Sequence, residues 1–220
     1  MDTLTRFSTA PWADSMKNRN VTVVGAGSIG SWLCIFLTRA GVNVHLYDDD
    51  TVEIHNLGGQ LMLQETLDMP KVEAVKLTCE RLGATGTVDT YKVKMKEGMC
   101  TTGEVFSCVD SMKSRRIIFN QFMKSESELL IDGGILIEDW DVKTVIKPNV
   151  DNYEESIQGK DSQTINPLCT YQNTTAVGAQ CASFMFNVFC NYLCNKIEED
   201  DREQFSKLSY TPISQRFTGK

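Results

Sequence analysis

The chain has 220 residues, of which 41% are hydrophobic and 23% are charged. These values are typical of a globular protein that is long enough to bury a substantial core. The net charge of −7 argues against general binding to nucleic acid or to anionic membranes, because both require an excess of Lys and Arg. A local basic pocket for phosphates is compatible with this charge.

The N-terminal sequence and the cysteine usage point to the cytoplasm. The first residues lack the basic and apolar blocks of a signal peptide, and no apolar run is long enough to span a bilayer. The eight cysteines form no Cys-x-x-Cys pair, and those at 34, 108 and 190 lie within apolar runs. We therefore expect a cytoplasmic protein with free, mostly buried thiols and no membrane segment.

The apolar periodicity predicts alternating strands and helices in the first part of the chain. In chain order, the predicted elements are an arm over 1–20, a strand over 21–24, a helix over 28–40, a strand over 42–47, a helix over 70–82, strands over 88–95 and 105–109, a helix over 111–124 and a strand over 129–132. Pro70 fits the first turn of its helix, and Ser111 is a candidate N-cap. The glycines at 133 and 134 are expected to end the last of these strands.

The pattern changes after residue 135. The predicted elements there are antiparallel or edge strands over 135–146, a polar loop or crossover over 150–167, a helix over 174–198 and a last strand or arm over 208–213. No linker divides the chain, so we expect one domain over 1–220, with a core over 21–135 and an extension over 136–220. The predicted fold class is α/β: a Rossmann-like, mostly parallel sheet flanked by helices, with a C-terminal antiparallel extension.

A glycine-rich turn follows the first predicted strand and opens the first predicted helix. It reads Gly25-Ala26-Gly27-Ser28-Ile29-Gly30. Glycines let backbone N–H groups approach phosphate, a helix N-terminus favours negative charge, and the acid that ends the second strand, Asp48, can hold a ribose hydroxyl. We therefore expect a nucleotide site; the alternatives are a tight turn without a ligand and a plain loop acid at Asp48. The motif alone does not separate a dinucleotide from ATP.

Three further segments carry a family resemblance. Residues 48–60 read DDDTVEIHNLGGQ, residues 69–74 read MPKVEA and residues 108–116 read CVDSMKSRR. Together with an Arg-Phe-Ser arm at 6–8, they resemble motifs of the ThiF/MoeB/HesA family, the adenylating core of the ubiquitin-activating-enzyme superfamily. The first of those motifs is D-x-D-x-V-x-x-x-N-L-x-R-Q. The resemblance extends to residue 135, and the remainder is more loosely similar to small ThiF-like proteins of phages and mobile elements.

The resemblance implies an ATP-dependent adenylyltransferase. In such enzymes a carboxylate attacks the α-phosphorus of ATP, pyrophosphate leaves and an acyl-adenylate forms. The carboxylate is usually the C-terminus of a small ubiquitin-like or sulfur-carrier protein that ends in Gly-Gly. Catalysis then consists of positioning and charge neutralisation. The resemblance also implies ATP and Mg²⁺ as cofactors and a homodimer, while the missing Cys-x-x-Cys pair leaves no zinc site.

The resemblance also assigns roles to residues. Those implied in nucleotide binding are Gly25, Gly27, Ser28, Ile29, Gly30, Asp48, Asp50, Asn56, Gln60, Lys71 and Asp110. Gln60 and Lys71 would meet phosphates, and Asp110 would hold Mg²⁺, since hard cations prefer oxygen ligands. The implied catalytic residues are Asp110, Lys71, Arg6 and Cys169. The plainer alternatives are an N-cap for Asp110, a solvated side chain for Lys71 and a structural thiol for Cys169.

One departure from the family pattern concerns the phosphate-contacting Arg, which is Gly59 here. A guanidinium stabilises developing phosphate charge, and glycine cannot. Either another cation serves or the protein binds nucleotide without efficient turnover. The candidate cations are Arg6 of the partner subunit, Lys71, Arg115 and Arg116. The rival functions are a degenerate, non-catalytic nucleotide-binding module and an NAD(P)- or FAD-dependent oxidoreductase, which accounts for the glycine turn and Asp48 but not for Lys71 or Asp110.

Overall fold

Eight strands form one sheet in the order β3-β2-β1-β4-β5-β6-β7-β8. The computed structural model describes residues 8–136, 139–159, 175–198, 202, 204–211 and 216–219. The strands are β1 (Asn20–Val24), β2 (Asn43–Tyr47), β3 (Val88–Tyr91), β4 (Glu104–Ser107), β5 (Leu129–Leu136), β6 (Asp139–Ile146), β7 (Lys207–Thr211) and β8 (Arg216–Gly219). The strands β1 to β5 pair in parallel, and β6, β7 and β8 extend the sheet antiparallel. The predicted fold class is confirmed.

Helices cover both faces of this sheet. They are α1 (Ala13–Met16), α2 (Gly30–Arg39), α3 (Lys71–Arg81), α4 (Met112–Lys124), α5 (Asp151–Ser156) and α6 (Thr175–Glu198), with short 3-10 helices at Ile54–Gly58 and Gln64–Thr66. One core cluster holds side chains of α2, α3 and α6, and a second holds side chains of α4 and α5. Among the described residues, no helix combines the length and the apolar character that crossing a lipid bilayer requires.

The central strands β1 and β4 are buried almost throughout because each of their faces meets a helix layer. In β1, Val23 packs into the cluster of α2, α3 and α6, whereas its neighbour Val24 packs into the cluster of α4 and α5. Successive side chains of a strand point to opposite faces, so β1 carries buried valines on both faces, with the buried Thr22 among them. The strand order reverses direction between β1 and β4, and ligands of open α/β sheets bind at the carboxyl ends of strands at such a point.

The ends of α4 are fixed by side chains. Ser111 is its N-cap, as predicted, and its hydroxyl accepts a hydrogen bond from the Ser114 N–H at 3.1 Å. At the other end, Lys147 Nζ donates to the carbonyl oxygens of Phe122 at 2.8 Å and Ser125 at 2.7 Å. A lysine is well placed there because a helix C-terminus carries unpaired carbonyls and partial negative charge.

Several predicted boundaries are wrong. The strand expected over 88–95 ends at Tyr91, and the glycine pair does not end β5, which continues to Leu136. Gly134 pairs with Asp141 of β6, and a β-carbon at Gly134 would lie 2.5 Å from Asp141 Oδ1. The glycine therefore makes room for a cross-strand carboxylate inside a continuous strand.

The C-terminal half also contains elements that the sequence did not predict. The polar segment expected as a loop over 150–167 begins with α5, and its part from residue 160 lies outside the described residues. Two strands, β7 and β8, stand where one strand or arm was expected. In the N-terminal arm, residues 1–7 lie outside the described residues, and the fully buried Met16 fixes α1 to the core.

Candidate nucleotide-binding site

The three glycines of the turn between β1 and α2 have different local environments. Gly25 has φ +100°, and a β-carbon there would lie 2.5 Å from the Cys108 carbonyl oxygen. A β-carbon at Gly30 would overlap the carbonyl oxygen of Gly25. Gly27 differs, because a β-carbon there would have no atom within 4 Å beyond those of its chain neighbours. The turn itself thus requires Gly25 and Gly30, while Gly27 faces open space from which a ligand can approach the backbone.

Asp48 ties the end of β2 to the glycine turn. Its Oδ2 accepts a hydrogen bond from the Ala26 N–H at 2.7 Å, and its Oδ1 accepts one from the Asp50 N–H at 2.8 Å. Burial raises the pKa of the Asp48 carboxyl, and the two backbone N–H groups oppose this shift. Each carboxylate oxygen has a second lone pair, so these contacts leave acceptor capacity for a ribose hydroxyl. Ribose binding by Asp48 stays a prediction.

Lys71 and Asp50 form an ion pair beside the turn. Lys71 Nζ lies 2.8 Å from Asp50 Oδ2, and the Lys71 backbone N–H donates to the Asp50 carbonyl oxygen at 2.9 Å. The Lys71 side chain is only 11% exposed, whereas that of Asp50 is 64% exposed. The solvated alternative for Lys71 is therefore wrong, and its ammonium is held against a carboxylate that faces solvent.

Three consecutive carboxylates converge after β2. One oxygen from each of Asp48, Asp49 and Asp50 lies within 4.8 Å of the others, which is close enough to surround a cation. Hard divalent cations prefer such oxygen donors. The sequence interpretation assigned the metal to Asp110 alone and left Asp49 out, although the run of three acids was the available signal.

The loop after Asp50 is shaped by Asn56. Its Oδ1 accepts a hydrogen bond from the Glu53 N–H at 2.8 Å, and the Glu53 side chain in turn accepts from the Asn56 backbone, so the pair caps a 3-10 helix. Gln60 follows, with a buried Oε1 that has no hydrogen-bond partner among the protein atoms. Ser31, which the sequence interpretation missed, accepts a hydrogen bond from the Leu61 N–H at 3.0 Å and anchors this loop to α2.

Gly59 is buried in the same loop. Its backbone has φ −125° and ψ −13°, and its N–H donates to the Asn56 carbonyl oxygen at 3.2 Å. Residues with side chains adopt negative φ values of this size, so the backbone does not require glycine here. The backbone conformation at position 59 would therefore accept an arginine, so the turn does not account for its absence.

The described candidate replacement cations all have partners within the protein. Arg115 forms a buried ion pair with Asp132, and Arg116 Nη1 donates to the carbonyl oxygens of Ile157 at 2.7 Å and Gly159 at 2.9 Å. Burial raises the pKa of the Asp132 carboxyl, and the charge of Arg115 opposes that shift. The two other predicted catalytic residues, Arg6 and Cys169, lie outside the described residues.

Asp110 follows β4 and is exposed. The N-cap of α4 is Ser111, so the capping alternative for Asp110 is wrong. The carbonyl oxygen of Val109, the residue before Asp110, accepts a hydrogen bond from Arg115 Nη2 at 2.9 Å. The backbone that presents this carboxylate is thus fixed from inside the protein.

The thiols at Cys34, Cys108 and Cys190 are buried as expected. Burial raises the pKa of the Cys34 and Cys108 thiols and raises that of Cys190 to about 12. Since the thiolate is the nucleophilic form, these groups pack as small apolar side chains and are not suited to attack.

Comparisons with known proteins agree with these motifs. A model of the ThiF family matches residues 4–218. The chain is 27% identical over 149 residues to molybdopterin-synthase adenylyltransferase of Haemophilus influenzae, which covers 64% of this chain and 61% of that protein. It is 28% identical over 196 residues to the SUMO-activating enzyme subunit uba-2 of Caenorhabditis elegans. This alignment covers 86% of this chain and 33% of that protein. The chain thus spans less than two thirds of the length of either relative.

Solved structures share the fold. E. coli MccB in complex with MccA-N7isoASN superposes with a TM-score of 0.76 over 100% of this chain and 72% of that chain, at 14% sequence identity. E. coli MccB with ATP gives a TM-score of 0.75 over 100% of this chain and 71% of that chain, at 13% identity. The family model covers nearly the whole sequence, and the chain therefore belongs to the ThiF family.

Proposed function

We propose that this protein is an ATP-dependent adenylyltransferase that activates a carboxylate as an acyl-adenylate. The observation that carries the proposal is the hydrogen bond from the Ala26 N–H to Asp48. It joins the glycine turn to the acid that ends β2 and leaves Gly27 facing open space. Because the chain belongs to the ThiF family, we favour ATP over a dinucleotide as the ligand of the glycine turn.

The residues present fit a nucleoside triphosphate. The open approach at Gly27 suits phosphate oxygens at the N-terminus of α2. Lys71 brings positive charge to the same edge of the sheet. Asp110 and the cluster of Asp48, Asp49 and Asp50 supply the oxygen donors that would hold Mg²⁺, which would neutralise phosphate charge.

The acyl substrate is proposed as the C-terminus of a polypeptide, in particular a small ubiquitin-like or sulfur-carrier protein that ends in Gly-Gly. The support is that the relatives of this chain include a SUMO-activating enzyme subunit and that MccB, which shares the fold, has been solved in complex with MccA. We also propose that residues 1–220 act as one domain, that the protein is a cytoplasmic homodimer, and that Arg6 and Cys169 contribute to its chemistry.

A second candidate function is a non-catalytic nucleotide-binding module. It is favoured by the absence of an arginine at Gly59 and by the contacts that Arg115 and Arg116 already make with Asp132 and with the Ile157 carbonyl oxygen. In that case Lys71, which already neutralises Asp50, would be insufficient to stabilise the charge that develops during phosphoryl chemistry.

ATP–pyrophosphate exchange separates the candidates. The chain is incubated with ATP, Mg²⁺, labelled pyrophosphate and a panel of carrier proteins that end in Gly-Gly, with truncated carriers lacking Gly-Gly as matched controls. Exchange that depends on the intact carrier supports the adenylyltransferase. ATP binding by calorimetry without exchange for any carrier supports the binding module. Tight binding of NAD(H) without ATP binding would contradict both and favour an oxidoreductase.

A further inference from the structure

The long helix α6 starts beside the glycine turn and ends at the opposite edge of the sheet. In its first turn, Gly178 is buried against Ser28 of the glycine turn. Near its other end, the Tyr192 hydroxyl donates to Oε2 of Glu128, the residue before β5, at 3.3 Å. Helix α2 also starts at the glycine turn, and both helices bury side chains in the same core cluster. The two helices therefore begin together at the glycine turn and run away from it side by side.

The contact between α6 and the turn is made by backbone atoms. A β-carbon at Gly178 would lie 2.4 Å from the Ser28 carbonyl oxygen and 3.0 Å from its carbonyl carbon. These atoms cannot swing aside like the end of a flexible side chain, because the next residue, Ile29, is buried in the core cluster that also holds Val177 and Met185 of α6. Glycine within a helix is otherwise unfavourable, so its presence here is explained by this close approach.

The contact lies next to the part of the turn that is open to a ligand. Gly27 faces open space and directly precedes Ser28. The Ser31 N–H donates to the Gly27 carbonyl oxygen at 3.0 Å, so the peptide between Gly27 and Ser28 belongs to the start of α2. Backbone N–H groups at such a position are the ones that phosphate oxygens meet. A displacement of Ser28 would move these donors, and stabilisation by fixed donors depends on their placement.

We propose that Gly178 is a positioning residue for nucleotide binding. By letting α6 reach the Ser28 carbonyl, it holds the backbone of Gly27 and Ser28 where phosphate oxygens require it. The inference rests on the proposed nucleotide site, but it applies equally to an adenylyltransferase and to a non-catalytic binding module. Because coupling between two sites is reciprocal, an occupied phosphate site should in turn stabilise the first turn of α6.

Calorimetric titration of the full chain with Mg²⁺ and ATP tests the proposal on a matched pair of variants. Gly178→Ala forces a β-carbon against the Ser28 carbonyl oxygen, and Gly86→Ala forces one against the Val42 carbonyl oxygen at the opposite edge of the sheet. Both variants should be less stable in urea. Only Gly178→Ala should raise the Kd for ATP, by about tenfold or more, since a misplacement of about 1 Å can cost about 100-fold in rate at such sites.

Hydrogen exchange of the unmodified chain decides if Gly178→Ala does not fold. ATP should slow the exchange of amides in residues 177–181 together with those in 26–30, and it should leave residues 193–197 at the far end of α6 unchanged. The inference is overturned if Gly178→Ala binds ATP as tightly as the parent chain or if Gly86→Ala weakens ATP binding equally. Protection of residues 26–30 without residues 177–181 would also overturn it. A parent chain that binds no ATP would contradict the proposed function itself, and this inference with it.

Discussion

Arg115 donates a hydrogen bond from Nη2 to the carbonyl oxygen of Val109 at 2.9 Å, directly before the exposed Asp110. The same guanidinium pairs with the fully buried Asp132 and donates to the Gly133 carbonyl oxygen at 3.1 Å. One side chain of α4 thus joins the loop after β4 to β5. We infer that Arg115 holds the backbone that presents Asp110 and does not itself reach a phosphate.

The ion pair between Arg115 and Asp132 should contribute strongly to the stability of the protein. Arg115→Met leaves Asp132 as an uncompensated buried charge, so we expect the free energy of unfolding to fall by about 3–5 kcal/mol in urea denaturation. The double variant Arg115→Met with Asp132→Leu should recover most of that loss, because no buried charge remains. Equal destabilisation of the single and double variants would contradict a charge origin.

The ion pair between Lys71 and Asp50 should matter for nucleotide binding more than for folding. Asp50 is largely exposed, and pairs of that kind contribute about 0–1 kcal/mol to stability. The free energy of unfolding of Lys71→Met should therefore lie within about 1 kcal/mol of that of the parent protein. Carrier-dependent exchange should fall about 100-fold, as it does when one electrostatic donor is removed from an active site. Lys76→Met on the same helix is the control, and an equal loss of exchange there would exclude a specific role for Lys71.

The glycine turn provides a test that separates ligand binding from folding. Gly27→Ala adds a methyl group where no atom beyond the neighbouring residues of the chain lies within 4 Å, so we expect unchanged stability but weaker ATP binding by calorimetry. Gly30→Ala forces a β-carbon against the Gly25 carbonyl and should lower the free energy of unfolding by about 1–3 kcal/mol. Unchanged ATP affinity in Gly27→Ala would argue for a turn without a ligand.

Much of this arrangement could be predicted locally. The β-branched run of β1, the glycine turn and Asp48 are close in sequence, and periodicity and fingerprint spacing identify them. The pairing of Arg115 with Asp132 and of Lys71 with Asp50 could not be predicted, because the partners lie 17 and 21 positions apart and meet only when helix, loop and strand pack together. Gly134 was misread for the same reason: it looks like a strand breaker until the Asp141 side chain from β6 is placed against it.

Thiol labelling tests the burial of the cysteines. At pH 8 in native buffer, iodoacetamide should modify the exposed Cys100 but not the buried thiols, since the raised pKa of Cys79, about 11, leaves about one thiolate in a thousand. Labelling of Cys79 should increase as the pH approaches that pKa. Peptide mass spectrometry assigns each site, and Cys100→Ser is the control. Labelling of Cys79 at pH 8 at the rate of Cys100 would contradict its burial.

Gly59→Arg tests whether the missing family arginine limits the enzyme. The backbone at Gly59 has a negative φ that an arginine can adopt, and the loop already carries Gln60 with an unpartnered amide oxygen. A guanidinium placed there would stabilise charge that develops on the phosphates, so we expect exchange to increase by about 100-fold, the inverse of the lower end of the loss caused by removing one such donor. The measurement is carrier-dependent ATP–pyrophosphate exchange at saturating ATP.

The neighbouring Gly58 supplies the matched control. It is exposed, and a β-carbon there would have no atom within 4 Å beyond those of its chain neighbours, so Gly58→Arg adds the same charge one residue away without a β-carbon clash. We expect little change in exchange for Gly58→Arg, because electrostatic stabilisation of a reacting phosphate depends on donor placement and not on net charge alone. Equal gains in both variants would indicate that the added positive charge attracts ATP in general and that its position at residue 59 is not important. No gain in Gly59→Arg, with ATP affinity retained, would favour the non-catalytic binding module.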